Sequence, residues 1–400
     1  MKRIVFGSAN HWTSPYQVGS HAWARLFAAD GWKAAYISDP ITPWHKLSRK
    51  NQERNRERFA LWLSMGKQFE NGKVTAWAPF SLIAPYPLPF FASRWVMEAW
   101  DSFTIPSLDS QIRSWGFDCP EILWLDSVRH GGWGKRLKPH LTILRIADWM
   151  PGFSNALKSA LKMERRLVLE ADLVITSSKT LEERIRPLRE KRPLCTIRNG
   201  VDVSFWSQLD APPPEYTQIP PPRAIYVGAL DEWFDVSLLS RVAKNLSQLS
   251  FVLIGQQRPD FVQELLLPNV YWLGSRSREE TRRFLHYAQV GIIPFKRSEL
   301  IECVCPLKLY EYMACGLPVV STYWEELGKI NSPAWFAKDA TEWTGCLQSI
   351  LTKARSIELS LTPTLYPHNS WDHEIKSYIL ANDWKQRWLE WQKVYQTFAI

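Results

Sequence analysis

Cys305-Pro306-Leu307-Lys308-Leu309-Tyr310-Glu311-Tyr312-Met313-Ala314-Cys315-Gly316-Leu317-Pro318-Val319-Val320 reads as a short helix running into a buried strand. Pro306 suits the first helical position, where its missing N–H costs nothing. Gly316 followed by Pro318 ends the helix before the strand Val319-Val320-Ser321. Free amides at such a helix start face an anion, and Lys308 in the first turn shares a face with Glu311 three residues on. The ammonium can neutralise a phosphate while the carboxylate accepts from both hydroxyls of a ribose, so the pattern points to a nucleoside diphosphate. The alternative is an amphipathic helix whose Lys and Glu are merely solvated.

Outward from this stretch, apolar runs of strand length alternate with helical patterns, and several runs end in Gly. Ala224–Gly228, Phe251–Gly255, Val270–Gly274 and Val290–Pro294 precede the motif, with helices near 236–246 and 278–288 between them. The N-terminal half has the same rhythm: Ile4–Ser8, a helix near 18–29, Ala34–Ile37, then Ile122–Leu125, Thr142–Arg145 and Leu173–Thr176, with a helix from about Asn155 to Glu170. Such alternation predicts an α/β chain of two doubly wound, Rossmann-like domains. Ligands of these sheets sit beyond the strand C-terminal ends, which places a cleft between the domains. Ala211-Pro212-Pro213-Pro214 and Ile219-Pro220-Pro221-Pro222 bracket a stiff stretch. The expected division is therefore 1–202, a linker 203–222, a nucleotide-binding domain 223–374, and a terminal helical segment 375–400. The aromatic stripe Trp384, Trp388, Trp391, Tyr395 of that segment reads as packing.

Length and composition exclude disorder: 400 residues with 46% hydrophobic content support two cores. Net charge is +9, and residues 1–150 carry 19 Lys and Arg against 12 Asp and Glu, so most of the excess lies in the first half. That asymmetry suggests an anionic partner, a lipid headgroup or a lipid diphosphate rather than nucleic acid, for which no RNA-binding signature is present. Six scattered Cys give no disulfide framework or metal spacing. No signal peptide or membrane span is read, so a cytoplasmic protein with only peripheral membrane contact is expected. The 22 Trp suit membrane interfaces and sugar faces equally.

The segments Val227-Gly228-Ala229-Leu230, Val252–Gly255, Val270–Gly274, Pro294-Phe295 and Pro306-x-Lys308-x-x-Glu311 resemble the GT-B glycosyltransferases over roughly 223–372, as do Asn199-Gly200-Val201-Asp202 and Ser370-Trp371-Asp372. More narrowly, the chain is similar to the inverting glucuronosyltransferases of xanthan (exopolysaccharide) assembly, the GumK type, through Arg145-Ile146-Ala147-Asp148. The resemblance implies two domains facing across a cleft, a terminal helix crossing back to the N-terminal domain, and transfer from a UDP-sugar, UDP-glucuronate being one candidate. The acceptor would be a glycan or lipid-linked oligosaccharide of the bacterial cell surface, and no cofactor is implied. Lys308 and Leu307 would meet the donor diphosphate, Glu311 the ribose, Gly228, Ala229 and Leu230 the phosphate side, Phe295 the same pocket, and Ser275 and Arg276 the base. Retaining relatives carry a Glu eight residues before the ribose carboxylate. Position 303 is Cys here, with Glu302 one residue out of register, which favours inversion.

Inverting transfer needs a base for the acceptor hydroxyl and a group to hold the leaving diphosphate. Asp148, at a strand end beside Trp149, is the candidate base; a turn or capping Asp before Pro151 is the alternative. Asn10, His11 and His21 are acceptor-side candidates in and after the first βα loop; the two His are also rival bases or orienting groups, with a structural or substrate-positioning role as the alternative for each. Gly131-Gly132-Trp133-Gly134 reads as a flexible loop. Asp-x-Asp is absent, so no metal is implied. The six Lys/Arg between Lys46 and Arg58, followed by the aromatic segment 76–100, suit an anionic membrane surface, or else a solvated helix and a packed loop. Two other readings of the whole chain stay open: a retaining hexosyltransferase, or a non-catalytic nucleotide-sugar-binding protein.

Overall fold

The computed structural model describes residues 1–47, 52–258, 261, 263–358 and 372–398. They form two compact units, Met1–Arg198 and Asn199–Ile400, each built on a mainly parallel sheet. In the first unit β1 (Arg3–Ser8), β2 (Lys33–Ser38), β3 (Lys67–Phe69) and β4 (Val74–Trp77) form one side of the sheet. A small ribbon of β5 (Phe80–Ser81) and β6 (Thr104–Ile105) stands apart. β7 (Ile122–Leu125), β8 (Leu141–Ile146), β9 (Leu173–Thr176) and β10 (Leu194–Thr196) complete the order β10-β9-β8-β7-β1-β2-β4-β3. Their near-continuous apolar runs are buried because helices cover a parallel sheet on both faces. The chain leaves β1 toward β2 and returns to its other side at β7, so the crevice where strand order reverses lies beyond Ser8 and Leu125.

The second unit has β11 (Arg223–Val227), β12 (Ser250–Ile254), β13 (Val270–Gly274), β14 (Val290–Ile293), β15 (Val319–Thr322) and β16 (Trp335–Ala337) in the order β13-β12-β11-β14-β15-β16, all parallel. Here the reversal falls between β11 and β14. The helix Leu307–Ala314 connects β14 to β15, and its Tyr312 ties it to the sheet: Val227 N–H donates to Tyr312 Oη at 2.7 Å. Pro306 is its N-cap rather than its first helical residue, and Gly316, at φ +79°, ends it.

Three expectations need correction. The stretch 203–222 is no linker: Trp206, Tyr216 and Ile219 are buried in the second unit's core, and Tyr216 Oη donates to the Phe284 carbonyl at 2.9 Å. The Pro-rich runs hid these apolar anchors. The terminal helix Trp384–Gln396 groups with the second unit, where Val201 N–H donates to Asn382 O and Trp384 N–H to Val201 O, both at 3.0 Å. Residues 131–134 are no open loop either, since Trp133 starts a short helix and packs on His130 with ring centroids 4.2 Å apart. Ser370-Trp371 lies outside the described residues.

Candidate functional site

The second unit brings Gly228, Ala229, Phe295 and Lys308 together at the ends of β11 and β14. Lys308 Nζ lies 4.3 Å from the Phe295 ring centroid, 4.7 Å from that of Tyr226, and 3.4 Å from Tyr226 Oη. A Cβ on Gly228, whose φ is +141°, would stand 3.1 Å from Nζ, so only glycine leaves this approach open. Burial lowers the Lys308 ammonium to about 7, against the pull of Glu311. Burial likewise raises Glu311 to about 7, opposed first by Arg278 and then by Lys308. Both groups are half-buried and lack a strong mutual pair, the state expected of a cation and a carboxylate kept for a ligand. Pro306 supplies no capping side chain to the first-turn amides beside them.

Other predicted donor residues stand further back. Leu230 is core, and Phe295 is buried against Trp324 at 5.7 Å, so it supports Lys308 from beneath. Leu307 is half-buried at the helix start and Ser275 exposed after β13, while Arg276 turns to Glu215 at 3.2 Å. Sequence reading missed Arg278, which opposes the rise of Glu311 and stacks on Phe205 at 3.8 Å. It also missed the support of the helix start. Asn199 Nδ2 donates to the Cys305 carbonyl at 2.7 Å, and Arg387 Nε of the terminal helix donates to the Asn199 carbonyl at 3.2 Å. Glu302 is spent structurally: it pairs with Arg297 at 2.8 Å and accepts from Glu325 N–H at 2.6 Å. Cys303 is fully buried.

In the first unit Asp148 follows β8, exposed, with no hydrogen bond or ion pair to its carboxylate among the described residues, and it caps no helix. Desolvation by surrounding protein raises its pKa, with Arg145 opposing. Arg145 itself is buried and binds Asp126 at 2.8 Å. The Arg184 guanidinium lies over the Trp149 ring, 4.9 Å from its centroid. Asn10 is half-exposed after β1.

His21 is fully buried with both ring nitrogens engaged. Nδ1 accepts from Val18 N–H at 3.2 Å and Nε2 donates to the His11 carbonyl at 3.0 Å, so it shapes the loop rather than meeting a ligand. His11 Nδ1 bonds Thr13 Oγ1 at 3.1 Å, while its buried Nε2 has no partner. Burial, then Arg58, Arg54 and His21, push His11 down to about 3, so it is a neutral imidazole. Beyond β2 and β7 lies a cluster the sequence did not reveal. Asp39 takes Ser127 Oγ at 2.7 Å, His130 Nε2 at 3.2 Å and Arg129 at 3.3 Å. Burial works against this carboxylate, yet Arg129, His130 and Ser127 hold it down to about 2.

The aromatic segment is partly a surface. Leu88, Phe90 and Trp95 are exposed, and Phe90 lies 6.0 Å from Trp95 between ring centroids. Arg54 and Arg56 are exposed, but Arg58 is only 7% exposed and cannot meet a membrane as the basic run suggested. Arg49 and Lys50 lie outside the described residues.

Two Rossmann-like units with ligand-facing strand ends define the GT-B glycosyltransferase fold. Sucrose-phosphate synthase from Thermosynechococcus elongatus shares it at a TM-score of 0.69 and 16% identity, with 99% of both chains covered. Anabaena HepE, solved in complex with UDP-glucose, matches at 0.65 and 12% identity over 99% of this chain and 100% of that one. Residues 221–353 match the family Glycosyl transferases group 1. Over 190 residues the chain is 28% identical to the protein of Bacillus subtilis (strain 168) named as the teichuronic acid biosynthesis glycosyltransferase TuaH. That alignment covers 45% of this chain and 46% of TuaH, so the match spans about half of each protein.

Proposed function

We propose that this protein is a glycosyltransferase that moves a sugar from a UDP-sugar to a glycan or lipid-linked oligosaccharide in cell-surface polysaccharide synthesis. The observation that carries the reading is Lys308 held over Tyr226 and Phe295 beside Gly228, at the start of a helix that also bears Glu311. The diphosphate binds the ammonium and the helix amides, and Glu311 accepts from the ribose hydroxyls. Transfer is a single displacement: Asp148 takes the proton of the acceptor hydroxyl, whose oxygen bonds to the anomeric carbon as the bond to the diphosphate oxygen breaks. Lys308 neutralises the leaving charge. Inversion is supported by the loss of a free carboxylate at 302–303, where Glu302 is engaged and Cys303 is buried. UDP-glucose in HepE and the naming of TuaH support the donor and the polysaccharide context.

No helix among the described residues is long and apolar enough to cross a membrane. Attachment to an anionic membrane from the cytoplasmic side is proposed through the exposed Leu88, Phe90 and Trp95, with the exposed Arg94 adjoining Trp95 in sequence. A thermal-shift panel of UDP-, GDP-, ADP- and TDP-sugars tests the donor: a UDP-sugar should raise Tm at concentrations above its Kd. Absence of a shift with any nucleotide sugar overturns the function. The anomeric configuration of the product, read by NMR, decides between inversion and retention.

A further inference from the structure

The helix Gln52–Leu63 lies across the loops that follow β1 and β2. Glu57 Oε2 comes 3.4 Å from Thr13 Oγ1 and 3.8 Å from His11 Nδ1, Asn55 Nδ2 donates to the His45 carbonyl at 2.9 Å, and Arg58 donates to the carbonyls of Asp39 and Pro40 at 2.8 and 2.9 Å. Arg54 precedes Arg58 by one turn and so shares its face. Arg129 reaches the same place from beyond β7, through Asp39.

Three guanidiniums share one carboxylate here, and only Arg129 is paired with it. Among the described residues no carboxylate lies within ion-pair distance of Arg54 or Arg58, and Arg58 is buried with neutral carbonyls as acceptors. The one central carboxylate, Asp39, already serves Arg129, His130 and Ser127. A buried cation without a counter-charge is costly, and an anionic ligand removes that cost. The neighbours report the same excess. After burial, Arg58, Arg129 and Arg54 together depress His45 to about 4, and Arg58 falls to about 10 through burial and Arg54, with Arg129 adding to the fall and Asp39 opposing it.

We infer that Arg54, Arg58 and Arg129 form an anion subsite at the ends of β1 and β2 that takes a phosphate group of the acceptor. Guanidinium forks match phosphate oxygens, and the place is the rim of the strand-order reversal where a doubly wound sheet binds ligands. The inference rests on the acceptor role proposed for the first unit. It narrows the acceptor to one carrying a phosphate or diphosphate.

The test uses the full chain saturated with UDP, so that the Lys308 site is filled, and titrates inorganic phosphate and geranyl diphosphate by calorimetry. Both should bind wild type, with affinity at least tenfold lower in Arg54→Ala and Arg58→Gln. Arg58→Lys, which keeps the charge, should recover most of the loss, and melting curves identify any variant that fails to fold. Tighter binding of geranyl diphosphate assigns the subsite to a lipid-linked diphosphate; equal binding assigns it to a phosphorylated soluble acceptor. Binding of neither probe, or unchanged affinity in the variants, overturns the inference. Because UDP affinity is measured in the same samples, that result is distinct from a failure of the donor site.

Discussion

The two units use one architecture and opposite ways of preparing strand ends. In the second, β11 and β12 end in Gly228 and Gly255, backbones approach closely, and one Lys and one Glu wait half-buried. In the first, β2, β7 and β8 end in charged residues already bonded to one another, Asp39 with Arg129 and His130, and Asp126 with Arg145. The diphosphate is common to nucleotide-sugar donors, so backbone and two side chains suffice to hold it and its ribose. An acceptor and a proton transfer need several fixed charges. If the proposed roles hold, the difference teaches that a donor side is specified by space and an acceptor side by electrostatics.

The comparison breaks most visibly at Asp148, whose carboxylate, among the described residues, has no hydrogen bond or ion pair. Asp148→Asn should lower turnover by ~10²–10⁴ with UDP affinity unchanged, measured by single-turnover kinetics and calorimetry. Near-normal turnover would hand the base to His11. Space is tested at Gly255, where an added Cβ would stand 2.0 Å from the Gly228 carbonyl oxygen and φ is +145°. Gly255→Ala should cost roughly 3 kcal/mol of stability in denaturant unfolding. A wild-type midpoint would show that the close approach is not required.

Lys308→Ala should weaken UDP by ~1.5–3 kcal/mol by calorimetry, and equal affinity would remove the diphosphate assignment. The pH dependence sharpens the same point. Lys308 must be protonated to bind the diphosphate and stands at about 7 when free, so affinity falls as pH rises above that value. Glu311 must be ionised to accept from the ribose and also stands at about 7, so affinity falls as pH drops below it. UDP binding should therefore peak near neutrality, and Lys308→Arg should flatten the alkaline limb. The smallest effect is expected at the surface. Phe90→Ser with Trp95→Ser should reduce sedimentation with acidic liposomes severalfold, and equal pelleting would exclude this patch as the anchor.

Much of the proposed donor site was legible because its parts are local. Lys308 and Glu311 are three residues apart on one helix, and the glycines stand at the ends of apolar runs. The first unit was less legible because its contacts are long-range: Asp39 meets Ser127 across 88 positions, and nothing in either neighbourhood announces the other. Asp39 directly follows β2, so attention to every strand end would have raised it. The linker expectation failed since proline-rich runs signal stiffness, whereas burial of Tyr216 and Ile219 is decided by the core they meet. His21 stayed open between a structural and a site role for a related reason, as a histidine near a loop shows its bonding only when both partners are in place.

Two hydrogen bonds lead from Arg387 through Asn199 to Cys305, the residue just ahead of the helix that carries Lys308. Shortening the chain before Arg387 would take away a strut under the proposed nucleotide site, although no deleted atom lies in the motif that reads as that site. For anyone engineering this protein, the tail is part of the foundation of the Lys308 helix, and a fusion or truncation there intervenes on whatever that helix binds.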